Sequence, residues 1–133
     1  MTLLDPATRP RYLPDADAAA ALFAPLAQEH AEVAAFVYLD AGQRVLGLRH
    51  VRSEAPDMLD LPIRDVAADA LAFGAVQVVM AHNHPSGDAT PSLADKDATR
   101  LLARALEALD VRLVDHLVIT ANGVTSFRGL GFL

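Results

Sequence analysis

The strongest demand on the fold comes from an almost unbroken apolar run, Val33 to Leu39, with Phe36, Val37 and Tyr38 at its centre. It reads as a β-strand buried on both faces, and such a strand needs a covering layer on each side of its sheet. Asp40-Ala41-Gly42-Gln43 then turns the chain into Arg44 to Val51, completing a β-hairpin. Ahead of the hairpin an Ala-rich helix is expected from Asp17 to Ala31. Residues 1–15, with Pro6, Pro10 and Pro14, read as an irregular lead-in to a single domain over 16–133.

Beyond the hairpin, Arg52 to Leu61 contains Pro56 and reads as a loop. Pro62 stands where a helix can start, Asp65, Val66, Ala70 and Phe73 mark its course, and Gly74 supplies a stop. Val76 to Met80 is a short buried strand that delivers the chain to His82, and Pro85, Ser86, Gly87, Asp88 and Pro91 force a loop from Asn83 to Pro91. Ser92 caps a last helix running to Leu109, with apolar residues at 98, 101, 102, 105, 106 and 109. Val111 to Thr120, the turn Ala121-Asn122-Gly123, and Val124 to Phe127 form a closing hairpin. The order α, β-hairpin, α, β, α, β-hairpin predicts an α/β fold: a mixed sheet with helices on both faces, α/β/α.

Composition narrows the chemistry. With 53% hydrophobic and 21% charged residues the chain of 133 residues is expected to fold as one globular unit. Its formal charge is −6, from 11 basic and 17 acidic residues, with no basic patch visible, so direct nucleic-acid binding is not expected. No cysteine is present, which leaves His, Asp and Glu to hold any metal. The start Met1-Thr2-Leu3-Leu4-Asp5 lacks the pattern of a signal peptide, and Pro25 interrupts the longest apolar run, so a soluble cytoplasmic protein without a membrane segment is the expectation.

His82-Asn83-His84-Pro85, followed by Ser92-Leu93-Ala94-Asp95, concentrates two imidazoles, a hydroxyl and a carboxylate. On extended backbone His82 and His84 point the same way and can reach one ion at the carboxyl end of a strand. A surface turn would explain the same two histidines without a metal. Ser92-x-x-Asp95 is also a helix capping box. At about 100° per residue, however, Asp95 falls within about 20° of Leu102 and Leu106 on the buried face, and a carboxylate aimed inward needs a partner. Together these residues have the composition of a catalytic zinc site with an open position. Such a site needs a proton carrier. Glu32, at the start of the apolar strand, is one candidate, and a solvated strand end is its simpler explanation.

His82-x-His84-Pro85, then Ser92-x-x-Asp95, resembles the JAMM motif of MPN-plus metalloproteases. More specifically, His82-Asn83-His84-Pro85-Ser86-Gly87-Asp88, Thr90-Pro91-Ser92, Asp95, Thr99-Arg100 and Asp115-His116-Leu117 resemble the bacterial RadC branch of that family, over roughly residues 30 to 130. Glu32 precedes Tyr38-Leu39-Asp40 at the spacing of the glutamate that opens the equivalent strand there. The resemblance implies an MPN/JAB fold related to the cytidine deaminases. It implies one zinc ion held by His82, His84 and Asp95 with a water as fourth ligand, and a protein or peptide substrate cleaved at an amide or isopeptide bond. Glu32 would carry the water's proton to the leaving nitrogen, and Ser92 would stabilise the oxyanion.

The chain departs from that branch where the helix-hairpin-helix module common in RadC proteins would stand, and at Val51-Arg52-Ser53-Glu54 and Ile63-Arg64-Asp65, which flank the cleft. Two other functions stay open: a protein serving DNA repair or recombination, as the RadC name has been applied, and a non-catalytic MPN scaffold. Degenerate scaffolds usually lose ligands, whereas all are kept here. Literal His-Asn-His is no sign of an HNH nuclease, whose residues are dispersed over a ββα unit. Asp115-His116 reads as a core pair satisfied by hydrogen bonds in preference to a support for the metal ligands, His30 and His50 as surface residues, and Asp88 and Asp97 as turn and helix-start acids.

Overall fold

A computed structural model describes residues 9–53 and 61–133. Its centre is a five-stranded sheet in the order β2-β1-β3-β4-β5, comprising β1 (Val33–Leu39), β2 (Val45–Arg52), β3 (Gln77–Asn83), β4 (Arg112–Thr120) and β5 (Gly123–Ser126). Strands β1/β2, β1/β3 and β4/β5 pair antiparallel, while β3/β4 is parallel. A parallel pair needs a crossover, and α3 (Leu93–Glu107) supplies it.

Every residue of β1 is buried. Alternate side chains go to opposite layers, as the pleat requires. Val33, Ala35, Val37 and Leu39 pack with Phe23 and Leu26 from α1 (Ala16–Phe23) and the 3₁₀ turn that follows it. Ala34, Phe36 and Tyr38 face Val66 and Ala70 of α2 (Ile63–Phe73) and Leu102 and Leu106 of α3. The expected mixed α/β arrangement, a sheet between helical layers, is therefore the observed one. Among the described residues no helix is long and apolar enough to cross a membrane.

Several boundaries differ from the sequence expectation for physical reasons. The first helix, capped by Asp15 accepting from the Ala18 N–H at 2.8 Å, stops at Phe23 and continues as a 3₁₀ turn over Ala24–Gln28. Pro25 explains the change, since it lacks an N–H and crowds the preceding turn. Leu13 is buried, and its N–H bonds the Gln43 carbonyl at 2.9 Å. Pro62 is the cap of α2 and Gly74 its left-handed stop at φ 66°. Most of the loop expected from Arg52 to Leu61 lies outside the described residues.

Strand β3 runs to Asn83, past the apolar residues that signal it, because His82 and Asn83 find buried polar partners. On α3 the buried stripe is Asp95, Thr99, Leu102 and Leu106, narrower than the apolar pattern and half polar. Leu101 and Leu109 are exposed. The helix gives out at Glu107, two residues early, and Asp110 turns the chain with φ 58°. Phe127 lies just past β5 yet is fully buried.

The buried Tyr38 hydroxyl donates to Asp69 at 2.8 Å, and Arg49 clamps the same carboxylate at 2.5 and 3.0 Å, tying β1, β2 and α2 together. The Arg49 hydrogen bond holds the Asp69 pKa below the carboxylate range, against burial. Removing only the hydroxyl with Tyr38→Phe should cost about 1 kcal/mol in urea unfolding at unchanged m-value. Because the folded pKa of Asp69 is depressed, its contribution is present above the ordinary carboxylate range and lost as pH falls through the folded value. The stability gap between the parent chain and Asp69→Asn should therefore be widest near neutral pH and shrink below about pH 4. A gap that widens on acidification would refute the linkage.

Candidate metal centre

The pleat and the pairing register set the site. Ala34 of β1 pairs with His82 of β3, and Met80 of β3 with His116 of β4, so Glu32, His82 and His116 lie on the face covered by α3. Glu32 precedes β1, which runs antiparallel to β3, and so lies at the end of the sheet where β3 finishes. From that end the chain leaves through Pro85 to Pro91 and returns as α3, whose first turn carries Asp95.

Donor atoms of Glu32, His82, His84 and Asp95 all lie within 4.8 Å of one another. His82 Nε2 is 2.9 Å from His84 Nε2, 3.4 Å from Asp95 Oδ1 and 3.5 Å from Glu32 Oε1, and His84 Nε2 is 3.0 Å from Asp95 Oδ2. Glu32, His82 and Asp95 are buried and His84 half-buried. Two imidazole nitrogens and two carboxylates this close carry excess negative potential, which a proton or a metal ion must neutralise. The nitrogen and oxygen donors suit zinc or a similar divalent ion, and the set fits a metal.

Local structure orients each donor. The His84 Nδ1–H donates to the Asp88 carbonyl at 2.7 Å, which turns Nε2 toward the cluster. That carbonyl is held by a tight loop in which Gly87 adopts φ 87° and its own carbonyl accepts from the Asn122 amide. The hydrogen bond to Asp95 raises the His84 pKa, over the opposing effect of burial. Burial alone would raise the Asp95 pKa, but the imidazoles of His82 and His84 beside its carboxylate outweigh that and hold it far below the usual range.

Asp95 also closes the capping box. Its Oδ2 accepts from the Ser92 N–H at 2.9 Å, and its own N–H donates to Ser92 Oγ at 3.0 Å. The carboxylate that caps the helix is thus also one of the four clustered donors. Ser92 is exposed, and because its oxygen accepts from the backbone its hydroxyl hydrogen is available for another group.

Three contributors carry no local sequence signal for the roles they take. Asn83, between the two histidines, points to the other face; its Oδ1 accepts from the Val33 N–H at 2.6 Å and its amide donates to the Glu29 and Ala31 carbonyls at 3.2 and 2.9 Å. It clamps the segment that presents Glu32. His116, expected as one of a core pair, lies against His82: its Nε2 is 2.6 Å from His82 Nδ1, and its Nδ1 is 2.6 Å from Oγ1 of Thr99, the third contributor. Burial drives the His116 pKa well below the ordinary value. Asp115 does satisfy the simpler reading, bonding Ser126, the Arg128 N–H and the His116 N–H. His30 and His50 are exposed, as expected. Asp88 is a turn acid, its carboxylate accepting from the Thr90 N–H.

A mixed sheet between helices, with a His-x-His leaving a central strand and an Asp opening the crossover helix, defines an MPN/JAB-type domain with a candidate metal cluster. Residues 13–132 match the RadC-like JAB domain, and the chain belongs to the RadC-like, or UPF0758, family. It is 44% identical over 110 residues to a UPF0758 protein of Cupriavidus pinatubonensis, covering 83% of this chain and 47% of that one. It is 38% identical over 112 residues to one from Pseudomonas fluorescens, covering 84% and 50%. With the UPF0758 protein YfjY of Escherichia coli it shares 49% identity over 70 residues, 53% of this chain and 44% of that one. The chain spans about half the length of these curated relatives.

A helix cap and a metal donor make different demands on Asp95. In Asp95→Asn the amide oxygen still accepts from the Ser92 N–H, so the metal-free variant should melt close to the metal-free parent. Its affinity for Zn2+ should fall by more than about tenfold, the loss that even outer-shell partners bring. Unchanged affinity by competition titration would leave the carboxylate a capping role only.

Proposed function

We propose that this chain is a metallopeptidase or isopeptidase of the JAMM type, hydrolysing an amide bond in a protein or peptide. The convergence of His82, His84, Asp95 and Glu32 at one sheet end carries this reading. His82, His84 and Asp95 are the natural holders of a zinc ion, leaving Glu32 as the carboxylate for proton transfer. Bound there, zinc would act as a Lewis acid and lower the pKa of a water molecule to about 7.

The residues supply the rest. Glu32 accepts the proton of the attacking water and returns it to the departing nitrogen, so that the amine leaves neutral. The exposed Ser92 hydroxyl donates to the carbonyl oxygen as negative charge builds on it. Asn83, by clamping the chain on both sides of Glu32, holds the proton carrier in reach. We also read the sheet between helical layers as related to the cytidine deaminases.

Protein purified without chelator should contain a stoichiometric divalent metal by elemental analysis. Glu32→Gln should keep that metal and lower kcat for amide hydrolysis by about 10²–10⁴-fold. A metal-free parent, or a variant as active as the parent, would refute the reading.

A further inference from the structure

We propose that Thr99, acting through His116, decides which ring nitrogen of His82 carries the proton and so presents His82 Nε2 as a bare metal donor. The inference rests on the reading of His82 as a ligand and concerns two positioning residues outside the donor cluster.

The relay is anchored at a group that can only accept. Thr99 Oγ1 lies 2.6 Å from the Asp95 carbonyl oxygen and 2.6 Å from His116 Nδ1. A hydroxyl has one hydrogen, and a carbonyl oxygen has none, so Thr99 donates to Asp95. His116 Nδ1 must then carry a hydrogen and donate to the Thr99 oxygen. The His116 ring is fully buried and its nitrogens meet only Thr99 and His82, with no carboxylate to balance a charge, so it holds one N–H and Nε2 is left as an acceptor. His82 Nδ1, 2.6 Å away, is its donor. As a metal ligand His82 is neutral with one N–H; that hydrogen is thereby spent on Nδ1, and the Nε2 lone pair faces His84, Asp95 and Glu32.

Reversing any link would place two lone pairs or two hydrogens face to face at 2.6 Å. All the participating atoms of Thr99, His116 and His82 belong to buried residues, so water has little access to repair such a fault. The Phe127 ring stacks on His116 at 4.3 Å and fixes its plane. A metal-bound histidine is usually oriented by a carboxylate or a carbonyl directly. Here the carbonyl lies two groups away, and it belongs to Asp95, whose carboxylate stands on the other side of His82.

Long-range ¹⁵N–¹H NMR on the chelator-treated full chain tests the relay directly. His82 and His116 should both show the Nδ1–H form. Thr99→Val removes the acceptor for the His116 Nδ1–H, so the His116 proton can move to Nε2 and displace the His82 proton onto the metal-facing nitrogen. Zn2+ affinity, measured by competition with a chromophoric chelator, should fall about 10–100-fold, and Thr99→Ser should restore it to within about threefold of the parent. An Nε2–H form of His82 in the metal-free parent would overturn the proposal, as would a folded Thr99→Val with parental Zn2+ affinity. If circular dichroism shows Thr99→Val unfolded, the tautomers of the parent and of Thr99→Ser decide: Nδ1–H on both rings supports the relay, and Nε2–H on His82 defeats it. A chain that binds no Zn2+ would defeat the metal reading, while the tautomers still judge the relay.

Discussion

Burial of β3 on both faces is the constraint from which the site follows. A strand in the middle of a covered sheet has no water at its side chains, so a polar residue there must be satisfied by protein or by an ion. His82 and Asn83 end that strand, and each is fully or almost fully buried. Alternation sends His82 toward α3 and Asn83 toward the 3₁₀ turn, and each face answers with its own partners. The donor cluster and the clamp on Glu32 are two responses to one demand.

Asp95 shows how local folding and chemistry share atoms. Its carboxylate caps α3, faces His82 and bonds His84, while its carbonyl terminates the chain of bonds through Thr99 and His116. A helix start that would otherwise leave orphan N–H groups is completed by the residue that the cluster requires. The crossover imposed by the parallel β3/β4 pair makes this possible, since it returns the chain to the same sheet end within one short loop.

Much of this is legible in the sequence because it depends on short-range pattern. The apolar run 33–39, the Ser92-x-x-Asp95 box and the Gly74 stop each encode their conformation locally, and the helical angle of Asp95 relative to Leu102 already points it inward. The less legible parts depend on pairing between distant segments. His116 looks like a core residue because its partner is 34 positions away, and the role of Asn83 rests on a contact across 50. Thr99 resembles any helix-interior hydroxyl, and only the β4 register turns it toward an imidazole. The end of β3 is obscured for a different reason: polar residues ordinarily mark a strand's exit, whereas here they are among its most buried.

The pairing of β1 with β3 has a further consequence, for folding. The donors come from residues 32, 82, 84 and 95, and no segment shorter than that span brings them together. The cluster exists only after strands far apart in sequence have met, a slow step for any chain. An ion held there would have no comparable site on the unfolded chain, so its binding free energy would add to native stability, by about 2.7 kcal/mol at a free concentration one hundred times Kd. Metal supply would then govern how long the domain survives in the cell as well as what it can do.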